Sequence, residues 1–408
     1  AGLSICGRVL VAAEGINGTI QGTPAAVASY EASMDQSLGV DIDWKHSSVD
    51  STSALFPDLV VKEVAELVNF GDQATARDGS KPLNVDAEGG THLSPADFDR
   101  MLAETPAENL RVIDVRNSFE FQIGHFEGAM DPGMHHTAQW PRFVEERLAD
   151  LRGRQVMLYC TGGIRCEKAS AYLNRRLKET DGGENRVAGG VFQLDGGIHR
   201  YLEAFPDGGR FQGANFVFDK RVQQRPEGAD GTIVGRCSEC DRPWGRHHGG
   251  RVCCVCRALV LVCDVCDAES SHGEYYCPEH AELRGVYFHF IERFSAEELE
   301  LQSRELRARI ALEVGPRRKN RRTTLRKKAE QVEARLNAIR EGATGDSTEA
   351  GGAAQRHTRR CRACEKPYTE CPGACWGFWK RDDSYACGAS MAEHGDEGQR
   401  VGITVGGG

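Results

Sequence analysis

The sequence predicts an α/β domain built on a parallel sheet with helices on both faces, preceded by a partial α+β domain and followed by a cysteine-rich, zinc-binding region. Three observations carry this. Short apolar runs at 112–115 and 156–159 alternate with helical patterns at 140–152 and 167–177. A turn-centred apolar stretch from Gly7 to Gly22 leads into a proline-started helix. Beyond Arg221, cysteines recur in short pairs of metal-ligand spacing.

In chain order, Gly7–Gly22 reads as a hairpin turning at Asn17-Gly18, a strong turn dipeptide. Thr23 caps a helix that opens at Pro24 and runs to about Met34, and Leu59–Val68 reads as a strand. Residues 71–90 are rich in glycine and small polar side chains and read as a linker. Ser94-Pro95 starts a helix whose apolar face is Phe98, Met101 and Leu102. The expected domains are 1–82, 92–221, 222–293, a basic helical segment 294–341, a spacer 342–356 and a cysteine-rich tail 357–408.

The 408 residues exceed one ordinary core. At 40% hydrophobic and 27% charged they supply packed soluble cores, and no apolar run is long enough to span a bilayer. Sixteen cysteines, mostly paired at Cys-x2-Cys or Cys-x2-His spacing, argue for metal binding in a reducing compartment and against a disulfide framework. A cytoplasmic location is expected, with an organelle or the nucleus left open. The chain starts at Ala1, so its N-terminus is expected to be incomplete or processed. The formal net charge of −9 opposes nucleic acid at long range, so any such partner requires locally clustered cations.

Chemistry concentrates at Val156–Lys168, VMLYCTGGIRCEK. A buried strand ends at Cys160; Thr161, Gly162, Gly163 and Ile164 form the bend; Cys166 begins a helix. Such a loop turns backbone N–H groups inward, and a helix N-terminus adds partial positive charge, which together lower a thiol pKa and hold an anion at sulfur. Arg165 and Lys168 add full charges. The alternative is a buried strand-end cysteine. On the same rim, Asp114 and Arg116 end the preceding strand, and Asp114 or Glu120 either accepts from loop amides or pairs with Arg116. His125 reads as a turn residue and His199 as a helix residue near the rim.

Past Arg221, Cys237/Cys240, Cys253/Cys256, Cys263/Cys266 and Cys277/His280 are four chelating half-sites, enough for two structural zinc ions, with Cys254 an alternative to Cys253. Consecutive and interleaved pairing are both open. Phe294–Arg340 reads as helix. Its basic run, Arg317, Arg318, Lys319, Arg321, Arg322, Arg326, Lys327 and Lys328, contains no acidic residue and suits RNA phosphates, a localisation signal or a solvated face. Cys361, Cys364, Cys371 and Cys375 are a candidate third zinc set, with Cys387 or His394 as alternatives. No flavin or nucleotide motif is present in the sequence.

VIDVRNSFEFQIGHFEGAM at 112–130 together with the cysteine loop resembles the rhodanese domain, and CTGGIRCEK is most similar to the tRNA uridine hydroxylase family. AEGING at 13–18 matches a signature of that family, and LDGGIHRY at 194–201 resembles the closing rhodanese segment. The resemblance runs from Gly7 to about Arg221. It implies an N-terminal domain of the ferredoxin or acylphosphatase type, one strand and one helix of which precede Gly7 in the family, so an unpaired sheet edge is expected here. It further implies tRNA as substrate and 5-hydroxylation of the wobble uridine with molecular oxygen, Cys160 being the essential thiol and Arg165 and Lys168 the anion-stabilising cations. The alternatives are a sulfurtransferase working through a Cys160 persulfide, and a zinc-containing RNA-binding or scaffold protein with a vestigial rhodanese site. Cysteine phosphatases need Cys-x5-Arg to wrap a phosphate; the spacing here is Cys160-x4-Arg165.

Overall fold

The computed structural model describes residues 4–39, 42, 44–49, 55–71, 82–180, 189–219, 221–226, 232–256, 258–270, 274–283, 296–314, 319–340 and 400–406. It divides into two compact units, Ala1–Gly235 with Gly388–Gly408, and Arg236–Cys387.

In the first unit, β1 (Ile5–Ala12) and β2 (Gly15–Gly22) pair antiparallel with Ala12 opposite Gly15. The turn is therefore Ala13-Glu14, and Asn17-Gly18 lies inside β2, against the sequence expectation. Close packing accounts for Gly18: a Cβ there would stand 2.7 Å from the Arg8 carbonyl oxygen. Helix α1 (Pro24–Leu38) is capped by Thr23, whose Oγ1 accepts from Ala26 N–H at 3.2 Å, and ends at Gly39 in the left-handed region. It packs Val27 on Val9 and Ile20. Strand β3 is Trp44–Val49, and β4 (Leu59–Glu63) runs parallel to β1. Beside β2, the strand Arg400–Gly406 lies between β2 and β3, antiparallel to both, so that among the described residues β3 and β4 are the outer strands.

A short helix α2 (Val85–Glu88), capped by Asn84, lies inside the expected linker. The parallel sheet then comprises β5 (Thr91–Leu93), β6 (Leu110–Asp114), β8 (Gln155–Tyr159) and β9 (Val191–Leu194), ordered β5-β9-β8-β6; β7 is Gly124–Phe126. The helices are α3 (Pro95–Glu104), α4 (Ser118–Phe121), α5 (Trp140–Leu151), α6 (Ile164–Thr180) and α7 (Gly197–Ala204). One face of the sheet is buried by Trp140, Val144, Leu151 and Leu173, the other by Phe98, Phe126, Tyr201 and Phe211. This two-sided cover explains why the strands read as continuous apolar runs. Strand β10 (Phe211–Gly213) pairs with β7, and β11 (Asn215–Phe216) with β12 (Gln223–Gln224).

The second unit contains α8 (Asp264–Glu269) and two longer helices, α9 (Ala296–Leu312) and α10 (Lys319–Arg340). The continuous helix expected over 294–340 is therefore a pair. The first ends at Leu312 and the second begins at Lys319; the sequence between them includes a glycine and a proline, residue types that disfavour helix. Among the described residues no helix is long and apolar enough to cross a membrane.

Candidate active site and metal cradles

Strand β8 ends at Tyr159, which leaves Cys160 on the carboxyl rim of the sheet, where β6 delivers Asp114. The loop curls back on the sulfur: Gly163 N–H donates to Cys160 Sγ at 3.1 Å, and Gly163 takes φ of 100°, a conformation that favours glycine. Helix α6 begins at Ile164, two residues before the expected Cys166, so its open N–H groups face the loop. The loop is also held from behind. Ile198 and His199 N–H donate to the Cys160 and Thr161 carbonyls at 2.9 and 3.0 Å. This approach requires Gly197, where a Cβ would stand 2.6 Å from the Cys160 carbonyl oxygen.

Burial pushes the Cys160 thiol up, but the Cys166 thiol, the Arg165 guanidinium and the Arg165 and Gly162 amides outweigh it and pull the pKa down to about 5. Cys166, buried beside that thiolate, is held well above the ordinary thiol value. Iodoacetamide alkylation of Cys160 in the purified chain should therefore rise through about pH 5 and stay flat across neutral pH, because the thiolate is the reacting form. A midpoint near the ordinary thiol value of about 8.5 would contradict the ring of donors.

The rim carboxylates divide their work. Asp114 takes Arg116 bidentately, 2.6 Å at the shortest, with both side chains fully buried, and Arg116 also donates to the Gly124 carbonyl at 2.6 Å. Glu120 instead takes Arg165, at 2.7 and 2.9 Å. Thr161 Oγ1 accepts from Arg165 at 2.9 Å and stands 3.3 Å from Glu120 Oε2. Burial pushes Glu120 up, yet Arg165 outweighs it and holds the carboxylate below its usual range. Glu120, expected to accept from loop amides or to pair with Arg116, pairs with Arg165 instead, and as the third residue of helix α4 it also accepts from Asn117 N–H. His125 Nδ1 meets the Phe121 carbonyl at 2.9 Å and its ring stacks on Phe121, as a turn residue would. His199 is buried, and burial, with Lys45, Arg221 and Arg200 nearby, holds its pKa down against Glu203.

Lys168 departs from expectation. Its Nζ lies 2.7 Å from Glu14, 3.3 Å from Glu66 and 3.1 Å from the Val68 carbonyl, and Glu14 also accepts from Leu67 N–H. Its charge is thus committed to the N-terminal domain, and the AEGING glutamate is the tip of a tether onto α6. A double-mutant cycle over Glu14→Ala and Lys168→Ala should give about 1–2 kcal/mol of coupling in thermal unfolding. Strictly additive losses would return Lys168 to the loop's own electrostatics.

In the second unit the chelating residues form two cradles, Cys237, Cys240, Cys263 and Cys266, and Cys253, Cys256, Cys277 and His280, each with ligand atoms within 4.8 Å of one another. The half-sites interleave. Cys240 and Cys263 sulfurs stand 3.8 Å apart, Cys256 and Cys277 3.7 Å, and His280 Nδ1 lies 3.2 Å from Cys277 Sγ. Backbone N–H groups of Cys263 and Cys266 donate to Cys237 and Cys263 sulfurs at 3.2 and 3.4 Å, a pattern suited to thiolates on a cation. Cys254 turns away from its cradle into an apolar cluster. Cys361, Cys364, Cys371 and Cys375, with Cys387 and His394, lie outside the described residues.

Of the basic run, Arg317 and Arg318 lie outside the described residues, as do the side chains of Lys319 and Arg321. Arg322 donates to the Glu313 carbonyl at 2.8 Å, and Arg326 and Lys327 are exposed. Lys328 is 3% exposed, which removes it from the surface expected to meet RNA.

Family profiles match residues 1–67 as a UPF0176 acylphosphatase-like domain, 94–204 as a rhodanese-like domain and 212–281 as a rhodanese C-terminal region. The chain is 34% identical to rhodanese-like domain-containing protein 6 of Arabidopsis thaliana over 69% of its own length and 48% of that protein, so it spans about half of this plant relative. It is 36% identical to the tRNA uridine(34) hydroxylase of Arthrobacter sp. over 68% of its length and 88% of that protein, and 36% identical to that of Corynebacterium kroppenstedtii over 67% and 86%. At this identity, and with more than four-fifths of each bacterial relative covered, the chain belongs to the family of the tRNA uridine(34) hydroxylases.

Proposed function

We propose that the chain hydroxylates carbon 5 of the wobble uridine in tRNA, with Cys160 as the essential thiol and molecular oxygen as co-substrate, one oxygen atom entering the base and the other leaving as water with two electrons from an external reductant. The observation that carries the reading is a buried thiolate ringed by N–H donors on the rim of a rhodanese-like sheet, in a chain whose relatives bear that activity in their names. The residues share the work by position. Cys160 is the nucleophilic centre. The loop amides hold negative charge at its sulfur without reorganising, and Arg165, locked by Glu120, supplies a fixed positive charge beside it. Asp114 and Arg116 fix the rim from which the loop springs. Mass spectrometry of tRNA nucleosides from cells with and without the protein tests this: hydroxyuridine at the wobble position should disappear with the gene.

The Gly163 N–H on the sulfur favours one second reading, sulfur transfer through a Cys160 persulfide, since the same ring holds a persulfide anion. Unchanged hydroxyuridine together with Cys160-dependent thiocyanate formation from thiosulfate and cyanide would select it.

Zinc is the metal assigned to both cradles. A tetrahedral ion with Zn–S of about 2.3 Å sets thiolate sulfurs about 3.8 Å apart, and the spacings of 3.8 and 3.7 Å fit. All four positions of each cradle are filled by protein side chains, as a structural site requires. Metal analysis of the purified chain should find two zinc ions, or three if Cys361–Cys375 form a further site. Stoichiometric iron would overturn the assignment.

A further inference from the structure

We propose that the second cradle, Cys253, Cys256, Cys277 and His280, is the anchor of the α9–α10 helical pair, so that metal binding fixes the cationic arm the chain offers to the RNA backbone. The RNA part rests on the tRNA reading above; the anchor does not.

The argument starts from what two helices can bury. On α10 the buried apolar positions are Leu325, Ala329, Val332 and Leu336, spaced by four, three and four, which is a single stripe. Helix α9 adds Leu299 and Leu306, with Ile310 partly covered. Two stripes facing each other cover one another along a seam and leave a long open side, and helices of this length are marginal in water without tertiary burial. Salt bridges across the pair, Arg307 with Glu333 at 2.5 Å and Arg340 with Glu300 at 2.7 Å, are solvent-exposed and contribute little.

The side chains that complete the cluster come from the second cradle. Cys254, 3% exposed, and Val255 lie between the ligands Cys253 and Cys256, and Tyr276, 5% exposed, immediately precedes the ligand Cys277. The two stretches are joined through backbone, Cys254 N–H donating to the Tyr275 carbonyl at 2.8 Å. A metal ion held by those ligands therefore clamps the two short segments that plug the helical seam. The apolar cluster shared by the two cradles, with Cys237 and Cys263 of the first, Cys253 and Cys277 of the second, and Val260 and Val262, includes no described residue of α9 or α10. Among the described residues, the ligand-flanking side chains that join the helical seam, Cys254, Val255 and Tyr276, all belong to the second cradle. On the outer surface of the same pair, Arg304, Arg326 and Lys327 are exposed, where phosphates can reach them.

The test uses the full zinc-loaded chain and two variants: Cys256→Ser, which removes a ligand, and Tyr276→Ala, which removes the plug and no ligand. Three quantities are read: zinc content, hydrogen exchange over 296–340, and affinity for unmodified tRNA as a function of salt. Cys256→Ser should lose one zinc, and both variants should speed exchange in α9 and α10 by at least about tenfold while helix α6 keeps its protection. Both should also weaken tRNA binding and flatten its salt dependence. Unchanged exchange in α9 and α10 in both variants would overturn the anchor, and Tyr276→Ala decides it even if Cys256→Ser fails to fold. Faster exchange with an unchanged salt slope would support the anchor and overturn the RNA contact.

Discussion

Cys160→Ser should abolish tRNA hydroxylation, with a loss of at least about 10³-fold in kcat/KM and an intact fold. The two side chains differ by one atom in a site that measures that atom's charge. The sulfur is ionised because Cys166, Arg165 and the loop amides together outweigh burial. A serine hydroxyl would accept the same N–H from Gly163 but stay protonated, its intrinsic acidity being far too weak for those donors to ionise. Cys166→Ser should do less, no more than about 10²-fold, because the serine hydroxyl can still donate to the Cys160 sulfur and the Arg165 charge and loop amides remain. Full activity in Cys160→Ser, measured as hydroxyuridine formed on purified tRNA, would remove the thiol from the reaction. A loss in Cys166→Ser equal to that of Cys160→Ser would make the second cysteine a redox partner.

What the sequence made legible follows the range of the interactions involved. Strand and helix order around Cys160, the Thr23 and Ser94 caps, and the rim location of Asp114 and Cys160 are encoded within a few residues and were readable. The errors arise where a distant partner decides. Asn17-Gly18 is the best local turn dipeptide, yet the chain turns at Ala13-Glu14; there Glu14 gains the Leu67 amide and the Lys168 ammonium, 53 and 154 residues away. Lys168 reads as a loop cation because nothing near it in sequence shows the carboxylates of the N-terminal domain. Interleaved ligand pairing was equally hidden, since two-residue spacing defines each half-site and says nothing about its partner. Lys328 shows the limit of charge counting: it belongs to an uninterrupted basic run and is still buried, next in sequence to Ala329 of the helical seam.

Glu120→Ala should be the most destabilising single change at the site, about 3–5 kcal/mol, because it leaves the Arg165 guanidinium buried without its counter-ion. In a thermal melt this should appear as a fall in Tm of more than about 10 °C. Its pH dependence has a definite sign. Arg165 holds the folded-state pKa of Glu120 below its unfolded value, so the carboxylate's stabilisation is fully present above the unfolded carboxylate range and is lost as pH falls through the lower folded value. The gap between wild type and Glu120→Ala should therefore be widest near neutrality and shrink in acid. Replacing both partners by apolar residues, Glu120→Leu with Arg165→Met, should recover most of the stability, since a buried pair is costly to break and nearly neutral to replace. That double variant separates scaffold from chemistry. With the fold restored and the Arg165 charge gone, the alkylation midpoint of Cys160 should move up from about 5 and hydroxylation should stay low. Wild-type activity in the double variant would mean that the pair serves packing alone and that the loop amides suffice for the thiolate.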